Sequence, residues 1–166
     1  MCTPPSVHLE NLAVKLFLVR HSIAEPRMTT DFERRLTQEG VLKAERLVRH
    51  LNTKQIQPKV IVHSPLIRSQ QTAQIFQSNF PNLPCIELPE VLHADASLLQ
   101  LIGSAGWQDP LIIGHNPSIS ALASGLTGDD TLLDFHTCSF AAFEIDKLPP
   151  LQSQLIHWLP TPPQVP

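Results

Sequence analysis

At 166 residues the chain is long enough for one domain with a single sizeable core. With 42% hydrophobic and 16% charged residues it has the make-up of a folded globular protein rather than a disordered one. A net charge of −3 argues against a general nucleic-acid binder. A small phosphorylated ligand stays open, because a pocket can be basic inside an acidic whole.

Cys2, Cys85 and Cys138 are far apart and form no C-x-x-C pair, which argues against a disulfide framework or a structural zinc site. No apolar run approaches the length of a membrane span. The start, Met1-Cys2-Thr3-Pro4-Pro5, lacks the charged and apolar regions of a signal peptide, so a cytoplasmic protein without membrane contact is expected. Residues 1–12 read as a loose lead-in, 13–159 as one domain and 160–166 as a proline-rich, extended tail.

Taken in order, residues 14–19 read as the first strand, its apolar run Leu16-Phe17-Leu18-Val19 marking it as buried on both faces. A polar loop follows to residue 35, in which Glu25 and Asp31 read as solvated. Thr37 then caps a helix to about residue 52, with Val41, Ala44, Val48 and Leu51 on one face. Residues 60–63 make a second strand, and Ser64-Pro65 reads as an N-cap and first-turn proline for a helix over 65–78. A third strand is expected at 85–88, a looser segment at 89–96, a helix at 97–104 and a fourth strand at 111–113. Asn116-Pro117 repeats the cap-then-proline pattern and opens a helix to about residue 125. Late strands at 139–145 and 154–159 make the sheet mixed. The alternation predicts an α/β three-layer sandwich with a mostly parallel central sheet.

Three of these strands end in similar chemistry: Arg20-His21, His63-Ser64-Pro65 with Arg68 just beyond, and Gly114-His115-Asn116-Pro117. Parallel strands would gather these groups at one sheet edge, where ligands bind in open α/β sheets. The combination suits a phosphoryl group. Guanidinium forks match phosphate oxygens, helix N-termini offer N–H groups, and a neutral imidazole can attack phosphorus. Metal binding by His21 and His115 is disfavoured, because two arginines would repel the cation. His63 reads as structural at least as readily as functional, and His8, His50, His136 and His157 are assigned no chemistry.

Leu18-Val19-Arg20-His21, Arg34-Arg35-Leu36-Thr37-x-x-Gly40, Ser64-Pro65-Leu66-x-Arg68-Ser69-x-Gln71-Thr72-Ala73 and Ile113-Gly114-His115-Asn116-Pro117 together resemble the histidine phosphatase superfamily. The likeness is strongest to its small, cap-less SixA-type phosphohistidine phosphatases. It implies a phosphoglycerate mutase-like fold, no cofactor and no metal. It further implies phosphate hydrolysis through a phosphorylated His21, with Arg20 and Arg68 clamping the phosphoryl oxygens and His115 completing the pocket. Arg34 would reach the phosphate or its carrier, Ser64 would orient a pocket histidine, and Asn116 joins them as a phosphate- or substrate-binding candidate.

The stretch between Arg68 and His115 has no room for a lid, so an open pocket and a phosphorylated protein side chain are expected. A small phosphorylated metabolite, or a phosphate-binding module without turnover, are the alternatives. Ser22 stands where many relatives have glycine. Glu90, with Asp95 behind it, is the candidate proton donor; without an acid, phosphohistidine becomes the favoured substrate.

Neighbouring residues on an ideal strand point to opposite faces. Arg20 and His21 are therefore expected to share a pocket through a bend at Val19-Arg20. The flanking arginines are expected to depress the pKa of His21, and a hydrogen bond to fix its reactive tautomer.

Overall fold

The computed structural model describes residues 14–26, 30–128, 133–147 and 152–164. The expected lead-in at 1–12 lies outside them. The elements are β1 (Val14–Arg20), α1 (Gln38–Thr53), β2 (Val60–His63), α2 (Ile67–Asn79) and β3 (Cys85–Glu87), then α3 (Ala96–Ser104), β4 (Pro110–Gly114), α4 (Ser118–Thr127), β5 (Phe140–Ile145) and β6 (Ser153–Leu159). A short 3-10 turn, Pro89–Leu92, takes up the looser segment before α3. The strands form one sheet in the order β3-β2-β4-β1-β5-β6. The pairs β3–β2, β2–β4 and β4–β1 are parallel, while β5 and β6 complete one side antiparallel.

The continuous apolar runs have a simple cause: the central strands are covered on both sides. Leu16 and Leu18 of β1 enter one core with Ile112, Leu98 and Ile119, beneath α3 and α4. Phe17 and Val19 enter the other with Leu111, Ile113, Leu47 and Phe76, beneath α1 and α2. Alternation along the strand thus feeds two separate hydrophobic layers.

Two helix starts differ from the cap-then-proline expectation. α2 begins at Ile67, with Leu66 in the N-cap place and no side-chain cap. The Ser64 hydroxyl bonds His115 and accepts only from the Leu66 N–H, at 3.4 Å, ahead of the helix. Likewise α4 begins at Ser118 after a cis Asn116–Pro117 bond, and the Asn116 side chain is engaged by Phe135 and Ser120. α4 also runs past Gly125 to Thr127, where Gly128 ends it in the left-handed conformation. At the far end of the chain, Pro160 accepts a hydrogen bond from Ser139 Oγ at 2.6 Å and Pro162 is buried.

Candidate active site

The site lies over the carboxyl ends of β1, β2 and β4. Parallel pairing aligns Arg20 with Gly114 and His63 with Ile113, so the three strand ends finish level. The expected bend at Val19-Arg20 is absent. β1 stays regular through Arg20, and the His21 N–H continues the ladder to the Gly114 carbonyl at 3.0 Å. Arg20 therefore lies on the α4 side of the sheet, where its Nη1 donates to the Phe135 carbonyl at 2.8 Å. His21 lies on the α2 side, against Arg68. The pocket sits beyond the sheet rather than on one face, so a long arginine and a histidine can approach it from opposite sides.

His21 has a defined tautomer. Its Nδ1 is 2.7 Å from the Ser22 carbonyl, which can only accept, so Nδ1 carries the proton. Nε2 then holds a lone pair, and Arg68 Nε donates to it at 3.2 Å. The rings of His21 and His115 are 5.0 Å apart. His115 Nε2 contacts Ser64 Oγ, while its buried Nδ1 has no partner. The buried Nε of Arg20 is also unpartnered. Two polar atoms at one edge are thus left for a ligand.

Each polar residue of the 68–73 motif has a position to hold. Ser69 Oγ donates to the Ile113 carbonyl at 2.9 Å, tying α2 to β4. Thr72 Oγ1 donates to the Arg68 carbonyl and accepts from the Ser22 N–H at 3.1 Å, fixing the residue after His21. Gln71 Oε1 accepts from the Leu36 N–H at 2.7 Å, which joins α2 to the loop before α1. These bonds bury one polar end of α2, while Ala73 and Phe76 carry the same stripe into the core.

The largest departure concerns Asp31, read from sequence as solvated. Its carboxylate lies 2.7 Å from Arg68 Nη2 and 3.0 Å from Arg34 Nη1, and its carbonyl accepts from Arg68 Nη1 at 2.6 Å. The hydrogen bond from Arg68, chiefly, holds its carboxyl below the usual carboxylate range. Arg34 is further tied through Nε to the Glu25 carbonyl at 2.6 Å, so it reaches the site through Asp31. Asn116 donates to the same Phe135 carbonyl as Arg20, at 2.9 Å. No sequence pattern marks a main-chain oxygen of a core phenylalanine as a support for an arginine. Asp31 has only its spacing to Arg34, three residues on, as a signal.

Glu90 is exposed on the 3-10 turn and, among the described residues, makes no side-chain hydrogen bond or ion pair. Asp95 is the N-cap of α3, accepting from the Ser97 and Leu98 N–H groups, and Ser97 keeps its carboxyl ionised to lower pH than usual. His63 is buried, with Nδ1 donating to the Ser64 carbonyl at 2.8 Å. Among the described residues no group of three or more His, Cys, Asp or Glu could hold a metal ion.

Burial, more than the arginines, sets the charge state of the two pocket histidines. It pushes His21 down to about 3, with His115, Arg68 and Arg20 adding like-charge repulsion. His115 is pushed down to about 4, again first by burial and then by Arg68. Both rings are therefore neutral at neutral pH. In an NMR titration their ring signals should stay in the neutral form from pH 8 down to about pH 5. A transition near the ordinary histidine value would contradict this burial. The unfolded chain would bind these protons below about pH 6.5, so the histidines also withdraw stability as pH falls from there towards 4.

A family model, histidine phosphatase superfamily (branch 1), matches residues 16–95, which include Arg20, His21 and Arg68. That stretch is 80 of the 166 residues, and over it the chain is similar to the histidine phosphatase superfamily. Solved histidine phosphatase structures share its fold. SixA of Agrobacterium tumefaciens superposes with a TM-score of 0.77 at 24% identity, covering 89% of this chain and 98% of that one. The protein histidine phosphatase SixA complexed with tungstate gives 0.75 at 24% identity, covering 89% and 97%. A mycobacterial glucosyl-3-phosphoglycerate phosphatase gives 0.70 at 15% identity, covering 88% and 98%. No match was found among curated protein sequences. The match to this family model supports a phosphatase enzyme.

Proposed function

We propose that the protein is a metal-independent phosphatase that removes phosphoryl groups from nitrogen, protein phosphohistidine above all, through a phosphorylated His21. The observation that carries this reading is the tautomer of His21, whose Nε2 bears the lone pair and accepts from Arg68 Nε, a bond that attack on phosphorus replaces. Nε2 attacks phosphorus while Arg20 and Arg68 take the charge of the equatorial oxygens. If the Ser64 hydroxyl donates to His115 Nε2, His115 Nδ1 carries its proton and donates it as a further hydrogen bond to a phosphoryl oxygen. Water then hydrolyses the phosphohistidine. Arg34 and Asn116 serve by holding Asp31 and the Phe135 carbonyl in place.

One observation supports nitrogen rather than oxygen as the leaving atom, and a second supports a protein substrate. Glu90, the candidate proton donor, is joined to no pocket residue, and Asp31 is ion-paired to the clamp. The connection between α2 and β4 holds only β3, the 3-10 turn and α3, which fits a pocket open to a protein surface. A phosphorylated protein is therefore the partner proposed, with neither nucleic acid nor membrane involved and a cytoplasmic location. Among the described residues no helix is long and apolar enough to cross a membrane.

The test is to quench wild type and His21→Ala during turnover of a phosphohistidine peptide with a chelator present. Acid-labile phosphate on wild type, absent from His21→Ala, is the expected result. A phosphate-binding module would release no phosphate and carry no label. A small-metabolite phosphomonoesterase would leave the peptide intact yet cleave small esters. Either outcome overturns the reading, as does loss of activity to the chelator.

A further inference from the structure

The clamp arginine is already loaded. Arg68 spends Nε on His21, Nη1 on the Asp31 carbonyl and Nη2 on the Asp31 carboxylate. One N–H on each terminal nitrogen remains for a phosphoryl oxygen. Arg68 is buried, but the Asp31 side chain is 46% exposed, so one edge of the carboxylate faces the open rim. An anion at the mouth of a phosphate site opposes the net charge of the ligand and needs a reason to be there.

We propose that Asp31 is a specificity-determining residue whose rim carboxylate accepts a hydrogen bond from the leaving group, selecting phosphorylated nitrogen heterocycles over phosphorylated oxygen. This rests on the function proposed above. A phosphoimidazole carries a proton on the ring nitrogen distant from phosphorus when it is in its cationic form. Asp31, held ionised between two arginines, stabilises that cation. As His21 Nε2 bonds to phosphorus, the P–N pair collapses into the substrate ring. The ring loses its positive charge and departs as neutral imidazole with its one proton, so no external acid is consumed. A serine phosphate offers no such N–H, and its departing alkoxide would need a proton that an ion-paired carboxylate does not hold.

Asp31→Asn keeps the shape of the side chain and removes the charge. Its kcat/KM should be compared with wild type on a phosphohistidine peptide and on p-nitrophenyl phosphate, whose leaving group needs no acid and offers no N–H. Part of the loss is common to both substrates, because Asp31 also holds Arg68, and the loss on the peptide should exceed that on the aryl ester by about tenfold or more, the size of one charge-assisted hydrogen bond. Asp31→Glu should recover part of the peptide activity. Equal losses on both substrates would mean that Asp31 only positions Arg68, and would overturn the proposal. A faster peptide reaction in Asp31→Asn would also overturn it, marking the carboxylate as a competitor of the phosphate. Failure of the phosphatase reading itself is separate: wild type would then cleave neither substrate and carry no label on His21.

Discussion

Under the proposed mechanism Arg68→Ala should lower kcat/KM by ~10³-fold or more, because one side chain would supply two remaining N–H groups to the phosphoryl oxygens beside its bond to His21. Arg68→Lys should recover less than ~10-fold of that loss, since an ammonium has no planar fork to span His21 and Asp31 together. Both variants should bind inorganic phosphate more weakly, read as a raised inhibition constant. In Arg68→Ala the like-charge repulsion on His21 and His115 also falls, so the pKa of each histidine moves upward from its depressed value. Arg68 sits in the first turn of α2, whose Ser69 and Thr72 anchors are independent of the guanidinium. Melting curves should therefore show a folded variant. A lysine variant within ~3-fold of wild type would mean that the fork geometry is not used in the reaction.

Gly40→Ala should strongly destabilise the fold. A Cβ at Gly40 would fall well inside contact with the Ile23 backbone oxygen and 3.0 Å from its carbonyl carbon, and backbone has no rotamer to turn away. The surroundings are bonded on every side. The Thr37 N–H donates to the same Ile23 oxygen at 3.0 Å, Thr37 Oγ1 accepts from the Gly40 N–H, and Ser22 Oγ donates to the Gly40 carbonyl at 2.6 Å. Forcing α1 away from residues 22–23 breaks these together. A cost of ~3–5 kcal/mol is expected, with a melting temperature lower by about 10 °C or more. Gly125→Ala is the matched control. It lies exposed in α4 with nothing within 4 Å of a new Cβ, and should stabilise by ~0.5–1 kcal/mol. Equal melting temperatures for the two variants would show that the contact at Gly40 relaxes without cost. If Gly40→Ala folds, its activity should also fall, because Ser22 follows His21 directly.

What could be read from the sequence follows from what repeats along the chain. The apolar runs of β1, β2 and β4 are conspicuous because each is buried twice, and their polar ends coincide because the strands are parallel and level. Thr37 caps α1 as its residue type and place suggest. Ser64-Pro65 misled because a hydroxyl before a proline looks like a cap whether or not a histidine 51 residues away has claimed it. Asp31 misled for the same reason, since a loop carboxylate looks solvated until two arginines converge on it. The supposed bend at Val19-Arg20 assumed that a pocket must occupy one face of a sheet. The first two errors turn on a partner distant in sequence, His115 for Ser64 and Arg68 for Asp31, which local periodicity does not encode.

That two-sided approach makes the site a junction between independently packed halves. Arg20 is carried by the layer under α4, through the Phe135 carbonyl, and His21 with Arg68 by the layer under α2. Loosening one layer would therefore displace His21 and Arg68 as a unit, while loosening the other would shift Arg20 alone. Distant core substitutions would sort into two kinetic families according to the layer they disturb. Alignment of the two layers, rather than the rigidity of either, then becomes the quantity the fold has to protect.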